Sequence, residues 1–406
     1  MKYPITPAFL ESQPEPIAEL YRRLEAFVLN DICSRFKNAG EATETALELI
    51  RQLQRRGYST AAVEKYIRNM LGLTEAQYDA ILDRAVERNA IYYDDILTKS
   101  GLLDVPGLDM AQEIMAIRRQ TKNELVNITR SLGFAMRGAD GKVVFTPLAS
   151  VYQRVLDDAA IRVWSGAESY ESAIKQATDA LTESGLQTVD YASGWHNRVD
   201  VAARRAVMTS ITQISSKYSD MTAERVPTDY REVTAHAGAR DEPGKTPWAS
   251  HKGWQGKVYS IHTGDAYPSI YAVCGLGEVD GLCGANCRHM YYPFWEGISG
   301  RAYTDEELRN IDPPPFEFEG REYTAYQATQ KQRQIETAMR KVRRDLVRDK
   351  AAGLGDQFTV HSARYRRLNE EYEAFSKAAG LRMQKDRMRV AGFDNKLGRE
   401  AMKKAI

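Results

Sequence analysis

Apolar residues recur every three or four positions along most of this chain, and that spacing stops between Ala223 and Gly320. In "EPIAELYRRLEAFVLNDICSRF" the residues Ile17, Leu20, Leu24, Phe27 and Val28 share one helical face. Near the other end Ile335, Met339, Val342 and Leu346 step by 4, 3 and 4; past a "GLG" break, Tyr365, Leu368, Tyr372, Phe375 and Ala379 step by 3, 4, 3 and 4. Two adjacent seams of that kind predict a helical hairpin or short coiled coil. The block between holds eight of the 14 prolines, three of the 5 tryptophans, four of the 6 histidines and three of the 4 cysteines. Proline interrupts both helix and central strand, so this block must be short elements joined by loops. Its runs "REVTAHAG" and "GKVYSIH" have β character. The expected fold class is α+β, predominantly α-helical: a helical N-terminal region, a small loop-rich α+β module and a C-terminal helical hairpin.

Helix punctuation subdivides the rest. "GEATETALELIRQLQRRG" ends at Gly57, "STAAVEKYIRNMLG" starts at a serine cap, and "TEAQYDAILDRAVERNAIYYDDIL" opens on Thr74 with Gln77 three residues on, a capping-box arrangement. The pair flanking "MLGLTE" reads as a helical hairpin, because the second helix lacks the basic residues of a DNA-reading one. A helix is expected from Asp109 to Leu132, a short hairpin at "RGADGKVVFTP", and helices over Ala149–Ser184 and Gly194–Met221. The segments are thus 1–107, a helical region; 108–222, a long-helix region; 223–320, the loop-rich module; and 321–406, a basic hairpin and tail.

With 43% hydrophobic and 27% charged residues in 406, the composition is that of an ordinary globular chain, and no apolar run approaches the ~20 residues that cross a bilayer. The start "MKYPITPAFLESQPEP" has prolines and acids where a secretory signal needs a basic start and an apolar stretch, so folding in a cytoplasm is expected. Cys33, Cys274, Cys283 and Cys287 are then expected as thiols or metal ligands. The net charge of +1 conceals an asymmetry: residues 331–406 carry 20 Lys and Arg against 10 Asp and Glu. Lys331, Arg333, Arg340, Lys341, Arg343, Arg344 and Arg348 surround the first C-terminal seam. They read as an open, solvated face or, equally, as one for double-stranded DNA phosphates, with acidic surfaces of another protein or of residues 1–330 as the competing partner.

Cys283, Cys287 and His289 form C-x3-C-x-H, and His251, His262, His236 or Cys274 could complete a zinc set; Cys283, Cys287, His289 and His251 are the candidate ligands. Plain structural roles are the commoner reading of such residues, a cysteine as a small core hydrophobe and a histidine as a hydrogen-bonded linchpin. A thiol enzyme would have to pair Cys287 with His251 or His289. "EFE" at Glu317–Glu319 offers the paired glutamates of an ADP-ribosylating toxin, and the same stretch reads as a linker. No G-x-S-x-G, H-E-x-x-H or phosphate-binding loop occurs.

"AHAGARDEPGKTPWASHKGWQGKVYSI", "YPSIYAVCGLGEVDGLCGANCRHMYYPFWEGIS" and "YTAYQATQKQRQIETAMRKVRRDL", in that order, resemble the signature blocks of the bacteriophage minor capsid protein 2 family of tailed phages and prophages. A wider likeness is to MuF-like head morphogenesis proteins: Arg240, His251, Gly256 with Lys257, and Asn286, Cys287 and Arg288 match in turn, with Trp254 in the same core. His289 departs from that pattern, which has a second cysteine there. The resemblance implies a structural, non-enzymatic minor head protein of the virion, made in the host cytoplasm and portal-proximal. It would act in head assembly, DNA packaging or genome delivery, with portal and other head proteins as partners and no catalytic residues to assign. It implies no cofactor; zinc stays open from the residues. The alternatives are a packaged enzyme or toxin-like effector and a DNA-binding protein.

Overall fold

A computed structural model describes residues 3–41, 61–99, 108–137, 142–151, 170–189, 196–241, 246–284 and 286–405, with isolated positions between 152 and 169. The chain is predominantly helical with small antiparallel sheets. It forms two compact units, one from Met1–Ile17, Glu75–Leu125 and Arg204–Gln330, the other from Ala18–Thr74, Val126–Ala203 and Lys331–Ile406. No helix among the described residues is long and apolar enough to cross a membrane.

The second unit carries a four-stranded sheet. The expected hairpin forms β1 (Leu132–Arg137) and β2 (Val143–Pro147), paired from Gly133↔Pro147 to Arg137↔Val143. β3 (Gln187–Val189) pairs with β1 and with β4 (His196–Arg198), giving the order β2-β1-β3-β4. The helix Tyr170–Ser184 lies within the run expected over Ala149–Ser184. The helix expected from Gly194 begins instead at Val199 and runs to Arg225, since β4 takes up the residues before it. On the helix Glu15–Glu41, Leu24 and Val28 are buried with Tyr21, whose hydroxyl meets Thr129 at 3.0 Å.

The C-terminal seams form as their spacing requires. Ile335, Met339, Val342 and Leu346 are buried on the helix Ala325–Ala352, and Tyr365, Leu368, Tyr372 and Phe375 on Gly355–Ala378. Thr324 starts the first helix: its hydroxyl accepts from Gln327 N at 3.3 Å while the Gln327 side chain accepts from Thr324 N at 3.0 Å.

In the first unit β5 (Tyr230–Val233) is the centre of a three-stranded antiparallel sheet, between β6 (Val258–Ser260) and β7 (Tyr291–Phe294). β7 is an edge strand, and so it tolerates Pro293. Val233, Trp254, Tyr259, Ile270, Cys274, Leu282, Cys287 and Tyr291 form the core against this sheet. The N-terminus closes one end: Tyr3 stacks on Tyr292 at 4.3 Å and donates to Glu232 at 2.8 Å, and Tyr292 donates to the Ile5 carbonyl.

Two expectations need correction. The hairpin expected around "MLGLTE" is absent, because Ala61–Lys99 is one continuous helix. Thr74 caps nothing; its hydroxyl donates 2.9 Å back to the Met70 carbonyl, a local bond that lets a buried threonine sit inside a helix. "GEATETALELIRQLQRRG" and the serine cap lie at 40–59, almost wholly outside the described residues. The "EFE" stretch is not a linker: β8 (Phe316–Phe318) pairs with β9 (Arg321–Tyr323), and Glu319 and Gly320, at φ 51° and 74°, make the two-residue turn.

Candidate functional site

The sequence-selected cysteines and histidines converge beside β5 and β7. His251 opens the short helix His251–Trp254, which is set by the Gln255 N–H bonding back to the His251 carbonyl at 3.1 Å. Cys287 and His289 come from the turn that leads into β7. Left-handed backbone at Cys283 and Asn286, φ 62° and 60°, bends that turn so the Cys287 thiol faces inward and Asn286 outward. The turn is packed tightly: a Cβ on Gly281 would stand 2.0 Å from the Gly275 carbonyl, and one on Gly275 would stand 2.4 Å from Trp248. Only glycine fits at either place.

Within this frame the Cys287 sulfur lies 3.8 Å from Nδ1 of His251 and 3.6 Å from Nδ1 of His289. All three side chains are buried, and their potential ligand atoms lie within 4.8 Å of one another. The outer nitrogens are engaged. Nε2 of His251 donates to the Asp280 carbonyl at 3.0 Å. Nε2 of His289 meets Oε1 of Gln255 at 3.0 Å, and that oxygen also accepts from the His236 amide at 3.0 Å. Trp254 packs edge-on against His289 at 4.9 Å, and His236 stacks on it at 4.4 Å. The Asp280 carboxylate is in turn fixed by Trp248 Nε1 at 2.8 Å and Thr246 Oγ1 at 3.1 Å, and its carbonyl also accepts from Arg240.

Burial is the main electrostatic influence. It draws His251 and His236 down to about 4 and His289 well below its ordinary value, so all three imidazoles are neutral at pH 7. Burial also pushes the Cys287 thiol up, opposite to what activates a nucleophilic cysteine. The pairing that a thiol enzyme would need is thus present as geometry, in an environment that favours the neutral thiol. Neutral imidazoles and an inward thiol are the donors of a metal site or of a hydrogen-bonded core.

The other sequence-selected residues fall around this centre. Cys283 is half-buried, its thiol 3.6 Å from the His289 carbonyl, outside the three-residue cluster. Cys274 is in the core, and His262 is exposed beside Asp229 at 3.4 Å. Arg288 pairs with Glu11 at 3.1 Å and bonds to the Gly238 carbonyl. Gly256 has φ 70° with Leu308 against it, and Lys257 folds back onto the Gly253 carbonyl. Gln255 and Asp280 hold the ring orientations, yet neither stood out in the sequence. Gln255 sits inside the "HKGWQGK" block, while Asp280 acts through its backbone carbonyl, which no side-chain pattern reveals.

The seven basic residues of the C-terminal helix are placed differently from the expected open face. Arg348 is buried against Asp349 at 2.6 Å, with Asp345 and Asp179 beside it. Arg344 is 7% exposed and 3.8 Å from Glu25, a carboxylate that Arg198 also holds at 2.9 Å. Arg340 and Arg343 donate to the carbonyls of Arg387 and Met388, and Lys331 pairs with Glu371 at 2.6 Å. Lys341 is half-exposed, 3.9 Å from Glu183, and Arg333 is exposed. Arg344 and Arg348 therefore pair with acids of residues 1–330, the alternative to phosphate.

Comparison with known proteins agrees with the sequence blocks. The family described as Phage minor capsid protein 2 matches residues 5–377. A curated protein named "Structural protein" from Lactococcus phage LL-H is 29% identical over 163 residues, 38% of this chain and 41% of that protein, so the likeness spans less than half of either. No solved structure matches. Both names point to a structural rather than an enzymatic role. With nearly its whole length matched, the chain belongs to the phage minor capsid protein 2 family.

Proposed function

We propose that the protein is a portal-proximal minor head component of a tailed phage or prophage, serving head assembly, DNA packaging or genome delivery through contacts with portal and other head proteins. The observation that carries this is the family match over residues 5–377. The interior supports a structural role: the cysteine and histidine cluster is buried, hydrogen-bonded and neutral, which suits a folding core better than an accessible reaction centre. The buried Arg348 of the C-terminal helix fits the same reading, since a guanidinium already paired with carboxylates inside a unit is not open to substrate or phosphate.

The test is crosslinking mass spectrometry on purified, genome-filled particles, alongside particles from a strain lacking the gene. The expected result is the protein in the virion at a copy number far below the major shell protein, crosslinked to portal subunits, with defective particles when it is lost. Particles that lack the protein yet fill and infect normally would overturn the proposal, as would crosslinks spread evenly over the shell.

A further inference from the structure

The geometry points to a zinc site in this chain, formed by Nδ1 of His251, Sγ of Cys287 and Nδ1 of His289. Proton placement leaves two nitrogen lone pairs aimed at one sulfur. A backbone carbonyl only accepts, so Nε2 of His251, 3.0 Å from the Asp280 carbonyl, must carry that ring's hydrogen. The His236 amide only donates, so the Gln255 atom it meets at 3.0 Å is the oxygen, and Nε2 of His289 must carry the hydrogen it shares with that oxygen. Both Nδ1 atoms are then bare lone pairs, and both face the same sulfur. One thiol hydrogen can satisfy only one of them, leaving a buried acceptor without a partner in a metal-free site.

The separations also match those of a bound ion. Zinc bonds of about 2.3 Å to sulfur and about 2.05 Å to nitrogen, arranged tetrahedrally, separate sulfur from nitrogen by about 3.6 Å. The two separations here are 3.6 and 3.8 Å. The surroundings, too, are those that orient metal ligands: each imidazole donates its outer N–H to a fixed oxygen, and the His289 amide donates to the Cys287 sulfur at 3.4 Å, as suits a thiolate. A mixed nitrogen and sulfur set favours zinc among the common divalent ions and disfavours magnesium and calcium, which take oxygen. On binding, the Cys287 proton leaves to solvent and the ion gains a thiolate. The inference concerns this site alone and does not depend on where the protein sits in the particle.

The test uses the full chain purified without chelator from zinc-supplemented medium, with metal content by elemental analysis and, after exchange, the cobalt(II) absorption spectrum. About one zinc per chain is expected, and a sulfur-to-cobalt charge-transfer band that Cys287→Ser abolishes and Cys283→Ser retains. Gln255→Leu removes only the oxygen that orients His289; it should leave the ligand atoms in place and weaken zinc about 10- to 100-fold in a competition titration. Zinc well below stoichiometric in the wild-type chain would overturn the site. So would a full equivalent of zinc surviving in Cys287→Ser, a charge-transfer band that depends on Cys283 rather than Cys287, or stoichiometric occupancy by a different metal. If Cys287→Ser does not fold, the Gln255→Leu titration decides, and unchanged affinity there counts against the proposal.

Discussion

The loop-rich module around Cys287 and the C-terminal helix Ala325–Ala352 both bury polar side chains, and they do so by opposite means. In the module the buried groups are neutral: His251, His289 and the Cys287 thiol meet backbone carbonyls, an amide oxygen and one another. In the helical unit they are charged and matched. Glu25 takes Arg198 through both carboxylate oxygens at 2.9 Å and also accepts from the Leu186 amide at 3.0 Å. Arg348 takes Asp349, and His361 meets the other Asp349 oxygen at 2.6 Å. Burial alone would raise Asp200, but Arg198, Arg340, Arg22 and Arg344 hold it below the ordinary carboxylate range. A neutral network depends on exact placement of backbone groups. An ionic one tolerates small movements but fails badly when one partner is removed.

The largest expected effect therefore lies in the helical unit. Arg348→Ala should lose about 3–5 kcal/mol, because Asp349 and Asp345 would be left as buried charges without their guanidinium. Adding Asp349→Asn should recover part of that loss, since the remaining amide needs no counter-charge. Equilibrium unfolding in denaturant measures both. Were Arg348 available to phosphate instead, the single substitution would leave stability unchanged and lower affinity for duplex DNA, and the contrast between the two regions would collapse.

An intermediate effect follows from the pH dependence of the two networks, measured on chelator-treated protein so that metal plays no part. In the folded module burial draws His251 and His236 down to about 4 and holds His289 well below its ordinary value, whereas an unfolded histidine takes its proton near pH ~6.5. As pH falls from ~6.5 towards 4 the unfolded chain binds protons that the folded one refuses, so the module loses stability across that window, by about 2 kcal/mol for each such histidine by pH ~5. Asp200 behaves in the opposite way: with its folded value lowered, its contribution is complete above the unfolded value of ~3.9 and disappears only at more acidic pH. Hydrogen exchange corrected for intrinsic pH dependence should show peptides from 246–262 and 286–294 losing protection between pH 7 and 5, while those from 332–350 keep theirs. Equal loss in both would mean that the neutral and ionic networks do not differ as described.

The two regions also differ in how far the sequence revealed them. Seams with a helical period were readable residue by residue, because a repeating apolar spacing has one economical burial, and Ile335 to Leu346 and Tyr365 to Phe375 are buried as spaced. Where the arginines of the same helix would go was not readable. Glu25, Asp179 and Arg198 are distant in the chain, and only the folded unit brings them to Arg344 and Arg348. In the module the reverse holds. The chemistry of Cys287, His251 and His289 was visible from residue type, whereas the orientation of each ring rests on Gln255 and on the Asp280 carbonyl, which carry no sequence signature.

The smallest predicted effect concerns the helix Ala61–Lys99, whose residues suggest a break that the structure does not have. Gly72 and Thr74 look like the end of one helix and the start of another, but they lie inside Ala61–Lys99. Gly72 is exposed, and a Cβ there would meet nothing within 4 Å. Glycine serves no conformational need at this position, in contrast to Gly275, whose φ of 61° and contact with Trp248 exclude any side chain. Gly72→Ala should therefore stabilise the protein by about 0.5–1 kcal/mol, the difference between glycine and alanine inside an exposed helix, seen as a rise in the unfolding midpoint without a change in denaturant slope. If a turn stood there with Thr74 as its cap, the same substitution would be neutral or destabilising, and Thr74→Asp, a competent cap but a buried charge in a continuous helix, would be tolerated. In the continuous helix Thr74→Asp should instead destabilise, because Thr74 is fully buried and its hydroxyl bonds back to Met70.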